Sequence, residues 1–191
     1  KALYADTGGD IERETVLRAT AAAERAAAET YESWAESEAQ RASEASGEAA
    51  EAFAAVAEEE RGHYDLVSDL LDEDVAVEEV PAIQRYLRER ETTVERAGGF
   101  LGRTLAAEKS KDQLVGFFVG QADPSTTRKI REMNGDLDGQ LERALALLES
   151  VCEDDADWEA AGDAADGAIQ AAYEEYTERL EGMGVNPKPV C

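Results

Sequence analysis

The chain of 191 residues carries 44 acidic and 19 basic side chains, which gives a formal net charge of -25 at pH 7. A charge of this sign repels phosphate backbones and anionic membranes, so we expect no direct binding of nucleic acid or of a membrane surface. No apolar run approaches the length of a membrane span, since the stretch from Val115 to Val119 is far too short. The length suffices for one substantial core, and nothing in the composition requires two.

Arginine dominates the basic side chains, because lysine occurs only at positions 1, 109, 111, 129 and 188. The excess of carboxylates, the scarcity of lysine and the abundance of alanine predict a halophilic protein, in which concentrated salt screens self-repulsion. Cys152 and Cys191 form neither a zinc motif nor a redox motif. We therefore expect a reduced cytoplasmic protein, while a disulfide between these two residues stays open.

Helical periodicity recurs between breakers along the chain, and strand signals are almost absent. The first helix is expected over about 10–46 with an interruption at Gly47, and the second over about 48–71. The third is expected from Pro81 to about 108, where Gly98, Gly99 and Gly102 indicate either close packing against a neighbouring helix or a kink. A short helix over 111–121, a long helix after Asp123 and a final helix over about 158–183 complete the prediction.

Long helices with brief connections predict an all-α fold, an antiparallel four-helix bundle with additional helices. We expect one bundle domain over residues 1–183, followed by an extended, proline-containing tail over 184–191. In the final helix, the stripe expected to face the core consists of Ile169, Tyr173, Tyr176 and Leu180.

Glu60 and the only histidine, His63, interrupt the apolar stripe of the second helix. At helical spacing both occupy positions that should point inward. Glu24 of the first helix lies three residues before Ala27 and seven before Tyr31, and is therefore a candidate for a further inward carboxylate. An unpaired buried charge is costly, and a metal ion is a common solution. The apolar positions that flank Glu60 and His63 are Phe53, Val56, Ala57, Val67, Leu70 and Leu71.

Glu24 and Tyr31, followed by a helix reading Phe-Ala-Ala-Val-Ala-Glu-Glu-Glu-Arg-Gly-His from Phe53, resemble the first helical hairpin of rubrerythrins and of the wider ferritin-like superfamily. The dense acidity is similar to that of haloarchaeal relatives. The resemblance covers about residues 10–72 and implies a ferritin-like four-helix bundle. It also implies that Glu24, Glu60 and His63 ligate iron in the middle of that bundle.

The second half of the chain departs from the rubrerythrin pattern, because a second Glu-x-x-His would need a second histidine. The second metal-binding hairpin is therefore degenerate. Ferritins manage with one histidine and use a Glu and an amide or acid from the second pair of helices. By that resemblance Glu95, which lies beside the glycine face, is the expected third-helix ligand, with Glu91 as its rival. Glu132 or Asn134 are candidates to complete the shell.

Two functional hypotheses follow. The first is a ferritin-like, rubrerythrin-related metalloprotein, an oxidase or peroxidase in which two iron or manganese ions bridged by Glu60 activate an oxidant. The alternative is a catalytically silent ferritin-like bundle that acts as a protein-protein adaptor or regulator. In that case His63 or Tyr31 satisfies the buried Glu60 by hydrogen bonding. Whether the chain is an enzyme, and whether it forms a homo-oligomer, stays open.

The net charge predicts that stability depends on salt. Mutual repulsion opposes compaction at low ionic strength, and the screening length shrinks from about 30 Å at 0.01 M to about 3 Å at 1 M salt. The midpoint of thermal unfolding should therefore rise strongly across this range. A midpoint that stays constant from 0.01 to 1 M salt would contradict the halophilic interpretation.

Overall fold

A computed structural model describes residues 2–41 and 43–187, with the backbone alone for Glu44. Within these ranges all regular secondary structure is helical, which confirms the predicted all-α class. The last part of the predicted tail, residues 188–191 with Cys191, lies outside the described residues. No helix in the described part of the chain is long and apolar enough to cross a membrane. The helices, in chain order, are α1 (Ala2–Asp6), α2 (Arg13–Ala39), α3 (Glu44–Leu71), α4 (Ala82–Arg88), α5 (Thr93–Gly120), α6 (Pro124–Val151) and α7 (Asp155–Gly182).

The break between α2 and α3 differs from the prediction. It lies before Glu44, and Gly47 is inside α3. Ser43 sets the start of α3, because its hydroxyl accepts a hydrogen bond from the Ser46 amide at 3.1 Å and so caps a free helical N–H. At Gly47 a Cβ would meet no atom within 4 Å, so this glycine marks neither a turn nor a close approach.

The predicted third helix is also wrong, because it consists of two helices, α4 and α5. Thr92 and Glu95 form a capping box that starts α5, and four residues separate α5 from the end of α4. The segment over 111–121, expected as a separate helix, is the continuation of α5 to Gly120. Two signals outweighed the periodicity: a capping motif within one predicted helix, and the lack of any breaker between Glu108 and Leu114.

Two apolar clusters form the core. One is rich in aromatic rings, with Tyr31 and Phe100 at 5.4 Å and Trp34 and Phe53 at 5.1 Å between ring centroids. The other contains Leu17, Val67, Leu114, Phe118, Ile130 and Met133. Along each of α2, α3, α5 and α6, one end of the helix contributes to the first cluster and the other end to the second. The stretch between them carries buried charged or polar side chains in each helix, namely Glu24, Glu60, His63, Arg103, Lys111 and Gln140.

Helix α7 packs against α5 at unusually close range. A Cβ at Gly98 would overlap the carbonyl oxygen of Ala161, and one at Gly102 would overlap that of Ala165. The glycines therefore mark close packing, as expected, and α5 continues through them as one helix. Because this contact needs small residues on both helices, the buried side chains of α7 at the contact are alanines. Its predicted inner stripe is wrong at Ile169 and Tyr173, which are 39% and 38% exposed, and right at Leu180, which is fully buried.

Candidate functional site: a buried charged layer between the two clusters

Glu24, Glu60 and His63 converge, as the sequence predicted. One donor atom from each lies within 4.8 Å of the others, and all three side chains are buried. Glu24 follows Leu17 of one core cluster and precedes Tyr31 of the other in α2. The two residues of α3 are placed in the same way between the clusters. The periodicity of both helices thus directs charged side chains into a layer bounded by apolar packing on either side.

Arg103 of α5 forms the closest ion pair of this layer. Its Nη1 and Nη2 each lie 2.7 Å from an oxygen of Glu60, an arrangement that suits the planar guanidinium. Gln140 of α6 donates to Glu60 Oε1 at 2.8 Å and accepts from Arg103 at 3.2 Å. Burial alone would raise the pKa of Glu60, but the charges of Arg103 and Lys111 outweigh burial and hold it well below its usual range. Glu60 is therefore a carboxylate at neutral pH.

Lys111, also on α5, lies between Glu24 and His63. Its Nζ is 3.1 Å from His63 Nδ1 and 3.3 Å from Glu24 Oε2, and its side chain is 5% exposed. The other imidazole nitrogen, Nε2, lies 2.9 Å from Asp136 Oδ2 of α6. The Asp136 side chain is half exposed, so the layer reaches solvent at this carboxylate.

The protonation of His63 depends on these neighbours. Burial lowers the pKa of His63, while the carboxylates of Glu24 and Glu60 act in the opposite direction and raise it to about 9. When Nε2 of His63 carries a proton, it donates a hydrogen bond to Asp136, whether the imidazole is neutral or positively charged. The 3.1 Å contact between Nδ1 and Lys111 Nζ accommodates one proton, because two donors would otherwise face each other.

A second ion pair extends the layer towards the surface. Arg143 donates to both oxygens of Glu59, at 2.9 and 3.2 Å, and Gln140 donates to Glu59 Oε2 at 3.1 Å. The carboxylates of the layer therefore all face cationic or hydrogen-bond-donating groups from the same chain. The carboxylates are Glu24, Glu59, Glu60 and Asp136, and the basic groups are His63, Arg103, Lys111 and Arg143.

The ligands expected from the second half of the chain lie elsewhere. Glu95 is at the N-terminus of α5, where its Oε2 accepts from the amides of Glu91 and Thr92 at 3.3 and 3.0 Å. Its role in the described structure is to cap that helix. Glu91 and Glu132 are exposed, and Asn134 is only partly buried. Helix α6 contributes Asp136 and Gln140 to the layer instead.

Sequence reasoning missed Arg103 and Lys111, the two buried basic residues that α5 contributes to the layer. Signals were nevertheless present, because Arg103 follows Phe100 by three residues and Lys111 precedes Leu114 by three, so each shares an inward face of α5. Gln140 likewise lies three residues after Leu137 and four before Ala144 on the buried side of α6. A charged residue at such a position is usually interpreted as surface unless a partner is known.

The group of Glu24, Glu60 and His63 could hold a metal ion, since carboxylate and imidazole are common ligands for iron, manganese and zinc. The surrounding charges do not fit two ions bridged by Glu60, however. Both oxygens of Glu60 already face the Arg103 guanidinium, and an ion bound there would lie against a fixed positive charge. Lys111 places a second basic group at Glu24 and His63.

No protein-family model, no curated protein and no solved structure matches this chain.

Replacing Arg103 by Met should strongly destabilise the protein, because it leaves Glu60 as a buried charge whose closest cation is gone. We expect a loss of about 3 to 5 kcal/mol in the free energy of unfolding, measured by denaturant titration in high salt. Arg61→Met is the matched control: Arg61 pairs with Glu32 at 2.8 Å on the surface, and such exposed pairs are worth about 0 to 1 kcal/mol. Equal losses in the two variants would show that the buried pair has no special weight.

Proposed function

We propose that this protein is a catalytically silent helical bundle that acts as a protein-protein adaptor or regulator. The observation that carries the proposal is the presence of two basic side chains, Arg103 and Lys111, inside the cluster of Glu24, Glu60 and His63. They supply the positive charge that a metal ion would supply in an enzyme. In this interpretation the layer sets how the helices pack, and it has no reaction to catalyse.

The pairing of α2 with α3 supports a ferritin-like origin for the bundle. Contacts join Glu24 to His63 and Glu32 to Arg61, and Arg18 to Glu73 just after the end of α3. As the residue number rises on one helix it falls on the other, which is the order expected of an antiparallel hairpin. We propose that the hairpin descends from a metal-binding one and that α5 has since supplied cations in place of ligands. The competing hypothesis is an iron- or manganese-dependent oxidase or peroxidase.

Lys111→Ala separates these hypotheses. If Lys111 replaces a metal, the wild-type protein should bind no Fe²⁺ or Mn²⁺ and should melt at the same temperature with either ion or with a chelator. Lys111→Ala removes a basic group from Glu24 and His63, so it should gain a metal-dependent stabilisation. An ion at 100 times its dissociation constant would contribute about 2.7 kcal/mol.

Lys109→Ala is the control, since Lys109 lies on the same helix with a side chain 74% exposed and pairs only with the adjacent Glu108 among the described contacts. It should behave as the wild type. The metal content of protein purified without chelator is measured by elemental analysis, for the wild type and for His63→Ala. Stoichiometric iron or manganese in the wild type that is absent from His63→Ala would overturn the adaptor proposal and favour the metalloprotein.

A surface on α7 supports a protein partner. Trp158, Ile169 and Tyr173 are 47%, 39% and 38% exposed, and their spacing of eleven and four residues places them along one face of the helix. Large exposed apolar side chains in such a row are typical of interaction surfaces. Exposed carboxylates such as Glu159 and Asp166 flank the row, so the expected partner is a protein segment with apolar side chains next to Lys or Arg.

The double variant Trp158→Ser and Tyr173→Ser tests this surface. Affinity-tagged protein should cross-link in its source cells to a defined set of proteins, and the double variant should lose them at unchanged helicity. Val119→Ser is the control, because Val119 is 53% exposed but belongs to α5. If all three proteins capture the same set, the α7 surface is not the docking site; if none captures a partner, the adaptor role fails.

A further inference from the structure

An open recess of about 440 Å³ lies where the chain turns from α5 into α6. Its wall is apolar at Phe118, Ala122 and Pro124, and Arg128 and Arg131 border it on the α6 side. Both arginines are exposed, and because they are three residues apart they extend from one face of the helix about one turn from each other. The surface therefore combines room for an apolar side chain with two positive charges.

The basic side chains of this surface have no partner within the described chain. Among the residues that the structure describes, Arg128, Lys129 and Arg131 are the only basic side chains without a hydrogen bond or an ion pair. Asp123 also lines the recess, but it caps α6 and lies 3.7 Å from Arg13. In a chain with 44 acidic and 19 basic residues, neighbouring unpaired cations suit an acidic group from another molecule.

The start of α7 has the complementary combination. Trp158 is 47% exposed, and the exposed carboxylates of Asp155 and Glu159 lie beside it on the helix. Neither carboxylate makes a hydrogen bond or an ion pair with the part of the chain that the structure describes. Their spacing of four residues is about one helical turn, as is the spacing of the two arginines. An aromatic side chain with two flanking acids thus matches a recess with two flanking bases.

These two surfaces lie at opposite ends of α6. The recess is at its first two turns, and α7 begins at Asp155, four residues after Val151 ends α6. A helix of 28 residues is about 42 Å long, so Trp158 does not reach the recess of its own chain. The match can form between two molecules.

We propose that copies of this chain associate head to tail, with Trp158 of one copy in the recess of the next and its two flanking carboxylates paired with Arg128 and Arg131. Such a contact is heterologous, so it repeats along a row of copies or closes a ring. The inference rests on the proposed role of α7 as an interaction surface, and it names a second copy as a partner. The net charge of -25 opposes association at low salt, so the contact needs salt that screens this repulsion.

Sedimentation of the purified full chain tests the proposal at about 0.5 M salt, where the screening length of about 4 Å spares charges in direct contact. The average mass should rise between about 1 µM and 1 mM protein, a range that suits a small contact. Trp158→Ser, and separately the double variant Arg128→Glu and Arg131→Glu, should weaken association at least tenfold at unchanged helicity. A wild type that stays monomeric up to 1 mM would overturn the proposal.

Two controls match these variants. Leu105→Ser removes an apolar side chain that is 38% exposed in the middle of α5. The double variant Arg61→Glu and Lys109→Glu makes the same change in net charge at side chains that are 49% and 74% exposed on other surfaces. Both controls should associate as the wild type does. If they weaken association as much as the test variants do, the contact is not at the recess.

A mixture of the two disrupted proteins tests the head-to-tail geometry. Trp158→Ser keeps the recess, and the Arg128→Glu, Arg131→Glu variant keeps Trp158, so together they should form dimers with one copy of each and nothing larger. Adding Asp155→Arg and Glu159→Arg to the recess variant should restore self-association by exchanging the charges. A monomeric mixture, larger species or a failed charge exchange would contradict the proposal. Arg128→Gln with Arg131→Gln serves for the mixture if the reversed variant does not fold.

The outcomes separate this inference from the proposed function. Association of purified copies tests self-docking, whereas the capture of other proteins in the source cells tests the adaptor role. Each tagged variant of that experiment keeps at least one of the two surfaces, so captured copies of this chain do not distinguish the variants. Purified protein that stays monomeric, while α7 captures other proteins, would overturn self-docking alone. Association of purified copies without capture of any other protein would support self-docking and remove the adaptor role.

Discussion

The buried ion pair between Arg103 and Glu60 is the interaction on which the centre of this molecule depends. It joins α5 to α3 through two bonds of 2.7 Å, in a layer that apolar packing isolates on both sides. Removing two charges from water is expensive, and only a geometry of this quality offsets the cost. Such a pair adds less to stability than to specificity, because any sliding of α5 relative to α3 would leave both charges unpaired. Gln140 extends the same constraint to α6.

The sequence predicted the inward faces of α2 and α3. It failed where a local capping motif was overlooked, at Ser43 and Thr92, and where the packing of two helices decides the outcome. The inward direction of Glu24, Glu60 and His63 follows from the periodicity of α2 and α3, and it was right. The inner face of α7 was not, because Gly98 and Gly102 of α5 bring the backbones so close that alanines replace the larger Ile169 and Tyr173. Packing distance is a property of the pair of helices, and the pattern of α7 alone does not contain it.

The same distinction explains the site. Arg103 and Lys111 lie on the inward face of α5, yet long basic side chains usually leave such positions and reach solvent. Their burial is determined by carboxylates that arrive from α2 and α3, more than forty residues earlier in the chain. Glu95 illustrates the opposite case. Its place beside the glycines predicts a metal ligand, but a local motif with Thr92 determines its role as a helix cap.

Asp136 connects the buried imidazole to solvent, because its half-exposed carboxylate lies 2.9 Å from His63 Nε2. A proton can therefore pass from bulk solvent to the imidazole by way of Asp136 while the helices stay packed. Exchange at His63 is then set by the rate of proton transfer along a short chain of hydrogen bonds, and not by the much slower opening of the bundle. The buried imidazole can therefore exchange its Nε2 proton with water while the chain stays folded.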